Sequence, residues 1–209
     1  IVVPNAPGGA ADITARTVGE HMARTLGQPV VIDNKPGAGG VVAGQAVASA
    51  APDGYTVLLI SSGTAVSQAL FKSLPFDTLA AFTPVAPLAT FDLVIVSAGN
   101  GRFATLGDLV NYARQHPGKV NLGTPNLGTT QHLAAEWFKT AARLDLQVVP
   151  FKGTPDVITS IRSGQIDAGV DILSPLLAQI QAKALKPLAV TGAKRSRLLP
   201  DVPTAQEAG

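Results

Sequence analysis

Short β-rich runs alternate along this chain with longer helical runs, and this alternation constrains the fold more than any other feature. Repeated β-α-β units favour a mainly parallel sheet that is covered by helices. The sequence therefore predicts an α/β protein. The strands predicted in the first half are Ile1–Val3, Val30–Ile32, Thr56–Ile60 and Leu93–Val96.

The alternation restarts after a polar, glycine-rich stretch at 97–102, which is typical of a domain boundary. Strands are predicted at 120–123, 146–149, 166–170 and 187–190, with helices between them. We expect two α/β lobes, 1–98 and 99–195. Residues 196–209 would form a proline-punctuated tail leading back towards the first lobe, which would be incomplete without a further C-terminal return.

The composition narrows the class of protein. Hydrophobic residues make up 46% of the chain and charged residues 14%, which is typical of a globular protein. The 16 basic and 14 acidic side chains form no long runs, so nucleic-acid binding is not indicated. Direct membrane insertion is not expected either, because no apolar run approaches the roughly 18 residues of a spanning helix. With no cysteine, thiol chemistry and disulfides are excluded.

The first turn, Pro4–Asp12, combines prolines that withhold backbone donors with the bare amides of Gly8 and Gly9. Where such a turn opens a helix, its free N–H groups suit a carboxylate or phosphate. A rigid strand-to-helix turn explains the same residues. Asp12 is expected to cap the amides of Gly9 and Ala10, and Asp171 either to order a loop or to accept from a ligand ammonium.

Catalytic motifs are missing from the sequence. His21, His116 and His132 lie in different segments without metal-ligand spacing, and no serine stands in a G-x-S-x-G turn. Neither catalytic residues nor a metal or other cofactor are therefore predicted. The alternative is a dinucleotide-dependent enzyme using the Gly37–Gly40 turn, although Val42 replaces the third glycine of that fingerprint. The glycines are otherwise explained by close packing of the helix on its sheet.

Several stretches taken together resemble one family. They are Pro7-Gly8-Gly9 with Asp12, Asn34-Lys35-Pro36-Gly37-Ala38-Gly39-Gly40, Pro52-Asp53-Gly54-Tyr55, Leu127-Gly128-Thr129-Thr130-Gln131-His132 and Leu199-Pro200-Asp201-Val202-Pro203-Thr204. The chain resembles the Bug-type periplasmic solute-binding receptors of tripartite tricarboxylate transporters. The resemblance implies a two-lobed, type II periplasmic binding protein (a Venus flytrap) that binds a small carboxylate between its lobes.

The resemblance also implies the site. A ligand carboxylate would be held by the Pro7, Gly8, Gly9 and Ala10 turn and by Thr64. The second lobe would contribute Asn126, Thr129 and Thr130, with Asp171 at the distal end of the ligand. Asn5 stands where the family often has an aromatic residue, so a more polar and roomier pocket wall is expected there.

We therefore expect a non-enzymatic periplasmic receptor for a di- or tricarboxylate or an acidic amino acid. Its partners would be the ligand and the membrane permease subunits of the transporter. The chain starts at Ile1 without a leader, so a signal peptide is expected to be absent from this chain. A carboxylate sensor that signals to a partner has the same sequence features and stays open.

Overall fold

The computed structural model describes the backbone of residues 1–209 and every side chain except that of Leu70. The chain divides into two compact units. The first unit comprises residues 1–89 and 126–130, and the second comprises 90–125 and 131–209.

A short parallel sheet lies at the centre of the first unit. Strand β1 (Val2–Val3) pairs in parallel with β2 (Asp33–Asn34), and on its other side Val2 forms a parallel bridge with Leu58. The three β-rich segments predicted for this unit thus lie side by side. The paired residues of the second segment fall just after the predicted 30–32, because the amide nitrogens of Asp33 and Lys35 donate to the carbonyls of Ile1 and Val3.

Three α-helices follow the strands of the first unit: α1 (Ala10–Leu26), α2 (Val41–Ala48) and α3 (Ser62–Leu70). A 3₁₀ turn over Ala38–Gly40 leads into α2. Gly27 ends α1 in the left-handed conformation, with φ of 65°.

The second unit contains a five-stranded mixed sheet in the order β5-β4-β6-β3-β7. Four strands run in one direction, and only β3 runs antiparallel to both of its neighbours. The strands are β3 (Leu93–Ala98), β4 (Asn121–Pro125), β5 (Gln147–Phe151), β6 (Ala168–Ile172) and β7 (Leu185–Val190).

Helices flank this sheet and contribute to its core. They are α4 (Leu106–Gln115), α5 (Thr130–Ala141), α6 (Thr154–Arg162) and α7 (Leu173–Gln181). Thr105 is the N-cap of α4: its hydroxyl accepts from the Asp108 amide at 3.1 Å, and the Asp108 carboxylate accepts from the Thr105 amide at 2.9 Å. Val157 and Ile161 of α6 and Leu176 of α7 are fully buried against the sheet.

The units divide at residues 89 and 90, earlier than the division expected near residue 98. The reason is that β3, predicted as the last strand of the first lobe, is paired inside the second sheet, where Val94 lies opposite Asp171 and Val190. The tail also belongs to the second unit, since Thr204 bridges to Val190 and Leu199 and Val202 pack on its core.

Candidate functional site

The turn between β1 and α1 presents backbone donors. Gly8 has φ of 83°, which favours glycine, and Gly9 is the N-cap residue of α1 with φ of −86°. The first bond within the helix runs from the Ile13 amide to the Gly9 carbonyl at 3.0 Å. Because the first four amides of a helix have no partner within it, the amides of residues 9–12 have no hydrogen-bond acceptor inside α1.

Asp12 does not cap the amides that the sequence predicts. Its Oδ2 accepts from the Gly8 amide at 2.9 Å, rather than from Gly9 or Ala10. The reason is the left-handed Gly8, which turns its own N–H towards the first turn of α1. The Gly8 amide is therefore occupied, and the donor set starts at Gly9.

Arg16 holds the Asp12 carboxylate in place. Its Nε donates to Oδ2 at 3.0 Å, and its terminal nitrogen lies 3.0 Å from Oδ1. Burial raises the pKa of Asp12, but bonds from Arg16, Gly8 and Asn34 lower it by more, so the pKa lies below its usual value. Asp12 is thus a charged but paired group beside the donors.

The N-terminus of α3 provides a second set of donors in the same unit. Its N-cap residue is Ser61, and among the described side chains none caps this helix end or that of α1. Thr64 is 1% exposed, and its amide donates to the Ser61 carbonyl at 3.0 Å. Its Oγ1 is buried without a hydrogen-bond partner among the described residues. A buried hydroxyl in this state is ready to bond a ligand or an ordered water.

The Gly37–Gly40 turn packs closely against Pro4 and α3. A Cβ on Gly40, which has φ of 103°, would lie 2.7 Å from Oγ1 of Thr64 and 3.2 Å from Cβ of Pro4. A Cβ on Gly39 would lie 2.8 Å from Oγ of Ser67. The glycines of this turn therefore serve close packing, but the element that they admit is α3, whereas the sequence predicted packing of a helix on its sheet.

Residues 126–130 belong to the first unit, although the sequence assigned them to the second lobe. Asn126 has φ of 47°, and its carbonyl accepts from the Thr129 hydroxyl at 3.0 Å. Its Nδ2 is buried without a partner among the residues that the structure describes. The hydroxyls of Thr130 and Ser62, both in the first unit, are hydrogen-bonded to each other. We call residues 9–12, 61–64 and 126–130 the donor cluster.

Asn5 and Pro7 lie beside the donor cluster. The Asn5 carbonyl accepts from Nδ2 of Asn34 at 3.0 Å, which ties the turn to the end of β2. Pro7 is exposed and, having no N–H, donates nothing to a ligand.

Asp171 lies in the second unit, within β6, and is fully buried. Its Oδ1 accepts from Nε2 of Gln131 at 3.2 Å and from the Ile172 amide at 2.7 Å. Its Oδ2 has no hydrogen-bond partner among the described residues. Burial raises the pKa of Asp171 to about 6, against the smaller, lowering effects of Gln131, Ile172 and the Thr154 hydroxyl. A role in ligand contact remains a prediction, and Oδ2 is the atom with capacity for it.

Four residues that make the contacts described above were not identified from the sequence. They are Arg16, Ser62, Ser67 and Gln131. The spacing of Arg16, four residues after Asp12, is a signal for an ion pair on a helix and could have identified it. Ser67 donates to the carbonyls of Gly39 and Gly63, at 3.2 and 2.8 Å, and nothing local in the sequence marks these contacts.

The histidines take part in local contacts. A ring nitrogen of His21 lies 2.9 Å from the Thr17 carbonyl, and one of His116 lies 3.0 Å from the Tyr112 carbonyl. Within the described part of the chain, no group of three or more acidic, histidine or cysteine side chains could hold a metal ion. No helix formed by the described residues is both long and apolar enough to cross a bilayer.

The comparisons with known proteins define first a class and then a family. The fold is that of type II periplasmic binding proteins, since solved proteins of that class superpose on the whole chain with TM-scores of 0.93 to 0.95. The family model described as "Tripartite tricarboxylate transporter family receptor" (TctC) matches residues 14–209. The chain belongs to this family.

Three related proteins illustrate the match. BugT of Bordetella pertussis is 34% identical over 100% of this chain and 65% of its own length. A protein of R. palustris solved with adipate is 33% identical with a TM-score of 0.95, and MatC from Rhodopseudomonas palustris with bound malate is 32% identical with a TM-score of 0.90. Both alignments cover 100% of this chain, and 70% and 71% of the respective solved chains.

The chain is shorter than these relatives, spanning 62% to 65% of the first curated proteins that it matches. Family membership confirms the resemblance read from the sequence motifs. It also places the chain among solute-binding proteins rather than enzymes, which rules against a dinucleotide-dependent enzyme built on the Gly37–Gly40 turn.

Proposed function

We propose that the protein is a periplasmic receptor for a small carboxylate, which it delivers to a tripartite tricarboxylate transporter. The ligand class is a di- or tricarboxylate or an acidic amino acid. Membership of the receptor family supports this proposal, as do the related proteins solved with adipate and malate. The membrane permease subunits of such a transporter are the proposed partners.

The donor cluster carries the proposal. Two helix N-termini without side-chain caps, those of α1 and α3, occur in one unit together with the unpartnered hydroxyl of Thr64. Helix N-termini combine free N–H groups with the positive end of the helix dipole, and therefore favour anions. A carboxylate of the ligand would accept from the amides of residues 9–11 and from the Thr64 hydroxyl.

Arg16, the cation next to the α1 N-terminus, is not free to bind a ligand carboxylate. Arg16 is engaged with Asp12, so the proposed seat offers neutral donors and helix dipoles. Charge-assisted hydrogen bonds contribute about 1.5–3 kcal/mol each, so three or four of them would contribute about 5–12 kcal/mol, from which the cost of association is subtracted. The third part of the proposed site is the segment 126–130, which contributes Asn126, Thr129 and Thr130.

Asp171 would contact a different part of the ligand from the donor cluster. Its Oδ2 would accept from a hydroxyl or ammonium at the far end of the ligand. This role favours a ligand with a donor group, such as a hydroxy acid or an acidic amino acid, over a plain dicarboxylate.

Isothermal titration calorimetry with L-malate, adipate, citrate and L-aspartate tests the proposal, with NAD and FAD as negative controls. We expect saturable binding of at least one carboxylate and none of either dinucleotide. Binding of a dinucleotide with no carboxylate bound would overturn the proposed function.

A further inference from the structure

Asp12 and Arg16 form an ion pair that differs from an ordinary surface pair. The Asp12 side chain is 4% exposed, whereas that of Arg16 is 54% exposed. Oδ2 accepts from Gly8 and from Nε of Arg16, and Oδ1 lies 3.0 Å from the Arg16 terminal nitrogen, an ion-pair contact without a hydrogen bond. Removing Arg16 would therefore leave a buried carboxylate that is supported by Gly8 and Asn34 but has lost its charged partner.

Arg16 also reaches the other end of the first turn. Its terminal nitrogen donates to Oδ1 of Asn34 at 3.3 Å, and Nδ2 of Asn34 donates to the Asn5 carbonyl at 3.0 Å. The turn between Asn5 and Gly8 is thus held at both ends by contacts that meet at one guanidinium. A planar guanidinium with several donors suits this double role, which a lysine ammonium cannot fill in the same geometry.

The position of Asp12 creates an electrostatic problem for an anion site. It stands in the first turn of α1, whose amides begin the donor cluster. An uncompensated carboxylate there would repel a ligand carboxylate, because like charges at short range in a partly desolvated site interact strongly. Arg16 compensates this charge through its contacts with both carboxylate oxygens of Asp12.

We propose that Arg16 is a positioning residue of the carboxylate site: it fixes the Asn5–Gly8 turn through Asp12 and Asn34, and it neutralises Asp12 beside the ligand. This inference rests on the proposed function. It adds that the Gly8 amide serves the turn and that binding strength depends on a side chain that does not touch the ligand.

The same helix provides a matched control. Arg24 pairs with Glu20 at 2.5 Å with the same four-residue spacing, but the two side chains are 68% and 64% exposed. Exposed pairs of this kind contribute little to stability. Arg24→Ala therefore reports the effect of losing a surface arginine from α1, and Arg16→Ala reports the effect of losing the buried partner.

The first arm of the experiment needs no ligand. Hydrogen exchange of the Gly8 amide and the NMR titration of the Asp12 carboxyl are compared in the natural protein, Arg16→Ala and Arg24→Ala. In Arg16→Ala we expect at least roughly tenfold faster Gly8 exchange and a higher Asp12 pKa, because the largest lowering contact is gone. Arg24→Ala should change neither. Equal values in the two variants would overturn the inference.

The second arm measures binding of L-malate and adipate by calorimetry at pH 7.5 and pH 5. Arg16→Ala should bind roughly tenfold more weakly at pH 7.5 and recover as the pH approaches the raised Asp12 pKa, whereas Arg24→Ala should match the natural protein. Adding Asp12→Asn to Arg16→Ala should restore affinity at pH 7.5, since the uncompensated charge is removed.

The outcomes separate the two proposals. Binding by the natural protein with no difference between Arg16→Ala and Arg24→Ala would contradict the positioning role and leave the receptor function standing. If the natural protein binds no carboxylate, the receptor function is wrong, and the Gly8 and Asp12 measurements still decide what Arg16 does. A loss of affinity in Arg16→Ala that is the same at both pH values and unchanged by Asp12→Asn would exclude charge neutralisation.

Discussion

The amide nitrogen of Gly8 lies 2.9 Å from Oδ2 of Asp12, and this bond determines which donors of the first turn are free. Because of this bond, the Gly8 N–H stabilises the turn and is not a donor for a ligand. The donors proposed for a ligand therefore start at Gly9, at the end of α1 where the helix dipole is positive. Predictions about the site follow from that division between structural and available donors.

Thr64→Val should separate binding from stability. The Thr64 hydroxyl is buried without a partner among the described residues, so its loss removes an unsatisfied group and should leave the free energy of unfolding unchanged or slightly increased. Carboxylate affinity should fall by about tenfold, the equivalent of one hydrogen bond. Calorimetry and urea unfolding provide the two values.

Ser67→Ala is the matched control for Thr64→Val in α3. The Ser67 hydroxyl donates to the carbonyls of Gly39 and Gly63, so its loss should lower the free energy of unfolding by about 1 kcal/mol. The opposite pattern, with Thr64→Val destabilised and Ser67→Ala unaffected, would refute the assignment of these two hydroxyls.

Gly40→Ala should destabilise the protein more than Gly54→Ala. Both glycines have positive φ, 103° and 81°, so both substitutions carry backbone strain of about 1–2 kcal/mol. A Cβ at Gly40 would also lie 2.7 Å from Oγ1 of Thr64, whereas nothing lies within 4 Å of one at Gly54. Thermal unfolding of the two variants should differ by several degrees, and equal melting temperatures would show that the close approach of α3 is unimportant.

Asp171→Asn should change how stability depends on pH. The folded pKa of about 6 lies above the ordinary value of 3.8, so the native state binds the proton more tightly than the unfolded state. Stability contributed by the protonated form is thus present at pH 4 and is lost as the pH rises to about 6. Asparagine does not titrate.

The expected size of this effect follows from the shift in pKa. Relative to the natural protein, Asp171→Asn should gain on the order of 2–3 kcal/mol between pH 4 and pH 7. Urea unfolding at several pH values measures this difference, in which the other titrating groups cancel. A difference that does not vary with pH would mean that Asp171 is not buried as a proton-binding carboxyl.

Local sequence signals predicted most of the secondary structure. The cap at Thr105 and the terminating glycine at Gly27 act within a few residues, so one sequence is sufficient to identify them. The first turn was likewise identified as donor-rich, because glycine and proline constrain the backbone directly.

The features that could not be predicted from the sequence depend on pairing between segments that are distant along the chain. The run at Leu93–Val96 is equally suitable for either sheet, and only its antiparallel pairing with β6 and β7 places it in the second unit. The Thr130–Ser62 and Gln131–Asp171 contacts join residues 68 and 40 positions apart, which no local pattern reports. Asp171 is likewise buried because its strand, β6, pairs with segments that are distant in the sequence.

The most direct test of the central claim compares Gly9→Pro with Gly9→Ala in carboxylate binding. The Gly9 φ of −86° is close to that of proline, so Gly9→Pro removes an amide donor while α1 can still form. Calorimetry with L-malate and adipate should show a loss of at least about tenfold for Gly9→Pro and a smaller loss for Gly9→Ala, with both variants folded by circular dichroism. Affinity for a bound carboxylate that is equal in Gly9→Pro and Gly9→Ala would contradict the assignment of the α1 N-terminus as its seat.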